Sequence, residues 1–211
     1  MLCYTHGRES LRLLHLYESA SSDIVIDIRT LLQFAVETDL GDGKFKFRPI
    51  HFACGIVSCL YSPPRSEGQS RLIIVDLQQK RLLTAHHLES TSKLFVRNNR
   101  EHLYYGTHSL ARDDGFRRWA LKRFDIGKDE WAPGRLELEN LVGSDIGATV
   151  CFEMFDNHFY GLSSLNSFEI YETTRLRITI DFACHQEVRE PGHAADVEKY
   201  HVASATGRGA N

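Results

Sequence analysis

The sequence predicts an all-β protein, a partial β-propeller of about four antiparallel four-stranded blades that is incomplete at its N-terminus. Two observations carry this expectation. The first is a repeated strand plan. Ile56-Val57-Ser58-Cys59-Leu60-Tyr61, His102-Leu103-Tyr104-Tyr105-Gly106-Thr107 and His158-Phe159-Tyr160-Gly161-Leu162-Ser163 are each followed, after a polar loop, by a second short alternating run. Those runs are Leu72–Leu77, Trp119–Ile126 and Ser167–Tyr171, whose starts lie 47 residues (72 to 119) and 48 residues (119 to 167) apart. A period near 50 residues with several strands per unit marks small sheets that must stack on one another to bury their faces. The second observation is the position of the turn formers. Gly41-Asp42-Gly43, Asn98-Asn99, Asp113-Asp114-Gly115 and Asp156-Asn157 all fall between apolar runs, where the chain must reverse.

Taken in order, the first unit opens at Met1 with no room for a strand before it, and Leu11–Leu16 matches the second run of the repeat. Ile28 to Val36, with Leu31, Leu32 and Ala35 clustered, reads either as one or two helical turns capped by Asp27 or Thr30, or as a loop with a buried apolar tip. The second unit runs from Phe45 through Leu83, the third from Leu94 through Leu138, and the fourth from Thr149 to the neighbourhood of Phe182. Asn98-Asn99 suits a two-residue hairpin turn, since Asn tolerates positive φ. Residues 1–184 form the expected propeller-like domain. From 185 to 211 the pattern disappears, and glycines and alanines in a polar context predict a disordered tail.

Composition narrows the function classes. A chain of 211 residues with a hydrophobic fraction of 42% is long enough for one ordinary domain with a sizeable core. The net charge of −3 and a pI near 6.4 supply no global field for nucleic acid or an anionic membrane, so neither is an expected partner. The one basic cluster, Arg112 with Arg117, Arg118, Lys122 and Arg123, is interleaved with Asp113, Asp114 and Asp125 and reads as a solvated strand face. No apolar run approaches the ~20 residues that span a bilayer, and no signal-peptide pattern opens the chain. Five scattered cysteines, several inside strand patterns, fit a reducing compartment, which gives a cytoplasmic or nuclear expectation.

The candidate chemistries are weak beside the packing readings. His86 and His87 are adjacent, so in a strand they point to opposite faces and cannot grip one ion together, while His102 and His108 flank a strand. With no paired Cys-x-x-Cys, His-Glu-x-x-His or Asp-rich loop, no metal or other cofactor is expected. Cys54 and Cys59 lie near His51 in sequence, but nothing around them lowers a thiol pKa. Gly143-Ser144-Asp145-Ile146-Gly147 lacks the Lys and the helix of a phosphate loop and reads as a loop entering a blade. Aromatics recur at equivalent places in units three and four. Those on one rim beside Arg and His would form a binding face, which selects Arg97, Tyr104, Tyr105, His108, Arg117 and Trp119, with no catalytic residue assigned.

From Leu2 to Ile170 the chain resembles the fungal F-box proteins whose large C-terminal region is a propeller-like β domain. The likeness is carried by Leu2-Cys3-Tyr4-Thr5, Gly55–Tyr61, Lys93–Asn98 running on to Leu103–Ser109, Leu141–Gly147, Cys151-Phe152-Glu153, Phe159–Ser163 and Ser167-Phe168-Glu169. In that family an N-terminal F-box docks on the Skp adaptor of a cullin ubiquitin ligase, and the C-terminal region presents the substrate. The sequence has no Leu-Pro pair and no helical trio before the first blade, so adaptor and cullin are expected partners only if an F-box lies upstream. What the resemblance implies is a noncatalytic protein-interaction domain that presents an unidentified protein substrate. Two alternatives stay open: a propeller-type enzyme acting on a small molecule or glycan through Asp145, Glu153 or Asp156, and a truncated product without independent function.

Overall fold

The computed structural model describes residues 2–14, 23–36, 44–64, 69–108, 118–138, 149–155, 157–165 and 175–183. The expected strand at Ser167–Tyr171, the turn formers Gly41–Gly43 and Asp113–Gly115, and the expected tail lie outside them. The described residues are mostly β, with one short helix. They form antiparallel sheets in which strands follow chain order without crossovers: β1 (Leu2–His6), β2 (Ser10–Leu14) and β3 (Ile24–Asp27) in the first; β4 (Lys46–Ala53), β5 (Ile56–Ser62), β6 (Arg71–Asp76) and β7 (Arg81–His87) in the second. The third sheet holds β8 (Phe95–Asn98), β9 (His102–His108), β10 (Trp119–Asp125), β11 (Glu130–Trp131) and β12 (Leu136–Leu138), with β11 and β12 both pairing along β10. β13 (Thr149–Phe155), β14 (His158–Leu165) and β15 (Arg175–Ala183) form the fourth.

The chain divides into two compact units, one of Met1–Ser109 with Ala120–Leu136, the other of Leu110–Trp119 with Glu137–Asn211. In the first unit, β5 and β6 explain why the sequence there reads as unbroken apolar runs. Their side chains alternate between two cores. Val57, Cys59, Tyr61, Ile73 and Val75 join Leu11, Leu13 and the buried face of α1 (Ile28–Val36), whereas Ile56, Leu60, Leu72 and Ile74 join Val96, Leu103, Tyr105 and Phe124. A strand covered on both faces loses the polar alternation of a half-exposed one. β4 is an edge strand, which is where Pro49 is tolerated, and the register shifts between Pro49 and His51.

One turn is built three times at a constant interval. Asp27, Asp76 and Asp125 end the third strand of their sheets, 49 residues apart (27 to 76, 76 to 125). Each accepts backbone N–H bonds on its carboxylate: from Thr30 at 2.6 Å, from Gln78 and Gln79 at 2.8 and 3.0 Å, and from Lys128 at 3.0 Å. The amide following each Asp donates to the last residue of the preceding hairpin turn: Ile28 to Glu9, Leu77 to Gly55 and Ile126 to Glu101. In the second and third sheets the loop then closes through a left-handed residue, Lys80 at φ 52° or Asp129 at φ 54°, into a fourth strand. In the first sheet the same Asp caps a helix. Ile28, Leu31, Leu32 and Ala35 recur at helical spacing, so the chain leaves as α1 and buries that stripe, with Phe34 on the opposite side 74% exposed.

Three expectations are corrected here. Leu11–Leu14 belongs to β2, the second strand of its sheet, and the third strand is Ile24–Asp27. The β8–β9 turn is centred on Arg100-Glu101, because Asn98 pairs with Leu103 and Asn99 N–H bonds the His102 carbonyl; Asn99 acts by accepting the Glu101 and His102 amides on its side chain at 2.9 and 2.7 Å. The first and fourth sheets show three strands each among the described residues, not four. Among the described residues none of the sheets is closed into a ring or barrel.

The third and fourth sheets share one packing device. Gly106 faces Phe95 across β8–β9, and Gly161 faces Phe152 across β13–β14. A Cβ on Gly106 would sit 2.3 Å from the Phe95 ring and 2.6 Å from Leu121, so the site accepts no side chain. Gly106→Ala should therefore lower stability by about 1–3 kcal/mol through overpacking. Asp76→Ala, which strands two backbone donors at a buried position, should cost about 1–3 kcal/mol. Asp125→Ala, at a more exposed turn, should cost less. Urea unfolding midpoints of the three variants, read by tryptophan fluorescence, check the ranking.

Candidate functional site

In the first unit a cleft of about 400 Å³ opens between β7, β9 and β10. Its size is that of ordinary ligand pockets. β7 contributes His86 and His87, and Glu89 follows shortly after its end. β9 contributes Tyr105 and Thr107, β10 contributes Lys122 and its two preceding residues, and the break between β11 and β12 contributes Gly134 and Arg135. Local backbone explains the last pair. The outer strand is interrupted after Trp131, and Gly134 at φ 83° turns the chain so that Arg135 lines the opening.

His86 and Tyr105 form one wall, and an aromatic group centred on Trp131 packs against them. The Trp131 ring lies 4.2 Å from His86, 5.5 Å and edge-on from Tyr105, and 5.0 Å from Phe124, centroid to centroid. Its Nε1 donates to Thr84 Oγ1 at 3.3 Å, which ties β11 to β7. Lys122 Nζ stands 5.7 Å over the same ring, a cation–π distance. His86 Nε2 and the Tyr105 hydroxyl share a hydrogen bond of 3.1 Å. At the mouth Arg135 forms an ion pair with Glu89.

Burial, with Lys122 and His87 nearby, pushes the His86 pKa down to about 4, Glu89 opposing, and burial pushes the Tyr105 hydroxyl up to about 12. Both are neutral at pH 7. The cleft is thus an uncharged aromatic wall with two cations, Lys122 and Arg135, and one carboxylate, Glu89, already engaged by Arg135. That arrangement offers stacking surface and positive charge side by side. It offers no second carboxylate for paired acid–base work, and among the described residues no group of three or more metal-ligating side chains assembles. The thiols of Cys59 and Cys3 are raised by burial, well above the usual value for the first and to about 11 for the second, so neither is a thiolate at pH 7.

Of the residues selected from sequence, Tyr105 lines this cleft. Tyr104, its neighbour on β9, points to the other face of the strand and is buried. His108 is buried at the end of β9, its backbone N–H donating to the Ser92 carbonyl. Trp119 is buried in the second unit, edge-on to Phe152 at 5.0 Å. Arg97 is partly buried on β8 and donates to the Val96 carbonyl at 2.8 Å. Arg117 lies outside the described residues. Of the carboxylates considered for catalysis, Glu153 is exposed on β13, and Asp145 and Asp156 lie outside the described residues.

Sequence reasoning missed His86, Glu89, Lys122, Trp131 and Arg135 as a group. The signal for Trp131 was its place two residues beyond Asp129, the left-handed residue that matches Lys80 in the second sheet. Comparisons with protein-family models, with curated proteins and with solved structures find no match to this chain. Among the described residues no helix is long and apolar enough to cross a membrane.

The His86 environment sets a pH dependence. Its folded pKa lies below the unfolded value of 6.5, so the unfolded chain takes up the proton first as pH falls. The stability this group contributes is complete above pH 6.5 and is lost between pH 6.5 and about 4. Allowing for solvent screening at a half-buried ring, the loss is on the order of 1 kcal/mol. Thermal melts of the wild type and His86→Gln should diverge over this window, the wild type losing more, and parallel curves would contradict the assignment.

Proposed function

We propose that this chain is a noncatalytic protein-interaction domain whose sheets are blades of a propeller-type assembly, and that it presents a protein client in the manner of the C-terminal region of an F-box-type ubiquitin-ligase adaptor. The blade reading is supported by the Asp-centred turn at 49-residue intervals, which ends the third strand of three successive sheets in the same way. The interaction reading rests on one observation above others. The cleft beside Trp131 combines aromatic side chains with Arg135, residue types enriched at recognition hot spots, sets Lys122 beside them, and has its single carboxylate bound by Arg135. A client segment laid along β7 and β10 would meet stacking surface and cations together. Skp adaptor and cullin are partners of a protein that also carries an F-box, and the client itself is a protein of unknown identity.

The test separates adaptor docking from client presentation. These 211 residues alone should not bind the purified Skp adaptor, and the same residues fused behind an F-box should. A photo-crosslinking amino acid at Gln69, on the wall of the cleft, should join clients in cells, and one at exposed Phe34 on α1 should not. Direct capture of the adaptor by the unfused chain would reverse the assignment of roles.

A further inference from the structure

We propose that the cleft recognises an acidic segment of its protein client, and that Glu89 occupies the client's place on Arg135 until that segment arrives. The inference rests on the interaction reading above and adds the chemistry of the partner. The charged side chains lining the cleft are Lys122, Arg135 and Glu89. His86 and Tyr105 are neutral at pH 7, and a net positive cleft sits in a chain of net charge −3. These charges address one space. Lys122 and Glu89 both act on His86, and Glu89 and Arg135 both act on Tyr105.

The Glu89 side chain is 82% exposed, so the Arg135–Glu89 pair stands at the solvent side of the cleft. An exposed pair of this kind contributes little, because its Coulomb gain is offset by hydration and side-chain freedom. Exchanging Glu89 for a client carboxylate therefore costs little, and the client gains what Glu89 alone cannot reach. It can set a second carboxylate against Lys122, which the Trp131 face holds in position, and lay its backbone along Thr107 and the Tyr105 hydroxyl. The Arg135 Nη1–Glu89 Oε2 contact shows that a carboxylate reaches this guanidinium at the cleft.

The experiment uses the full 211-residue chain with hexaglutamate and hexaglutamine peptides in a calorimeter. Hexaglutamate should bind and hexaglutamine should not, with affinity falling at least tenfold between 50 and 300 mM salt, as charge recognition near a surface requires. Lys122→Gln and Arg135→Gln should each weaken binding about tenfold while leaving the circular dichroism spectrum intact. Glu89→Gln should tighten it up to about fivefold, since it removes the competing carboxylate. Equal binding of the two peptides, no binding of either, or an unchanged affinity in Arg135→Gln would overturn the inference. So would preferential binding of single-stranded oligouridylate, which would mark the cleft as a site for nucleic-acid phosphates. A client that crosslinks at Gln69 through a neutral segment would overturn the acidic-segment inference alone and leave the interaction reading standing.

Discussion

The structure of the first unit depends on burying the β5–β6 pair on both faces. Each fully buried aliphatic side chain on these strands contributes about 1.5–3 kcal/mol relative to exposure. The pair commits them alternately to two cores, so neither core forms without it. Shifting its register by one residue would exchange every member of one core for one of the other. The surrounding pieces follow from that requirement. One face takes Leu11 and Leu13 of β2 with the apolar stripe of α1, and the other takes Leu103 and Tyr105 of β9 with Phe124 of β10. Arg71 reinforces the arrangement from the third strand by donating to the Ala35 carbonyl at the end of α1 at 3.2 Å.

The cleft lies on the second of those cores, and the two share residues. Tyr105 is at once a core side chain and part of the cleft wall, and Trp131 packs against that core while its ring supports Lys122. A rigid wall results, because the rings that would stack on a ligand are fixed by contacts made for folding. The cations differ. Lys122 rests over the Trp131 ring, and Arg135 stands at the solvent side with the exposed Glu89.

Much of the β architecture was legible in the sequence because strand period and turn chemistry are local properties. The strands at Ile56, Leu72, His102, Trp119 and His158 are legible as short apolar runs repeated at a regular interval between turn formers. The repeat was read with one error. Leu11–Leu16 looks like the upstream copy of the repeat's second run, while the triplets Ile26-Asp27-Ile28, Val75-Asp76-Leu77 and Phe124-Asp125-Ile126 carry the true period. An Asp after a strand looks like any turn residue until its carboxylate is seen to accept the following amides. Asn99 misled in a related way, since it works through its side chain at the first position of the turn, not through a positive φ in the middle. The cleft was hardly legible, because it draws on the end of β7, the middle of β9 and a break in the outer strand, and no local pattern records which of Tyr104 and Tyr105 faces it.

In the described sheets each strand pairs with the next along the chain, except that β12 pairs back with β10. Loop closure is therefore paid in small increments, and no strand waits for a partner from the far end of the polypeptide. During synthesis the first sheet can form when the chain has reached Asp27, and the second when it has reached His87, before the third has been translated. Until β8 to β10 arrive, however, one face of β5 and β6 is bare, with Ile56, Leu60, Leu72 and Ile74 turned to water. That nascent intermediate carries the aggregation hazard of this architecture, and a ribosomal pause after His87 would prolong it.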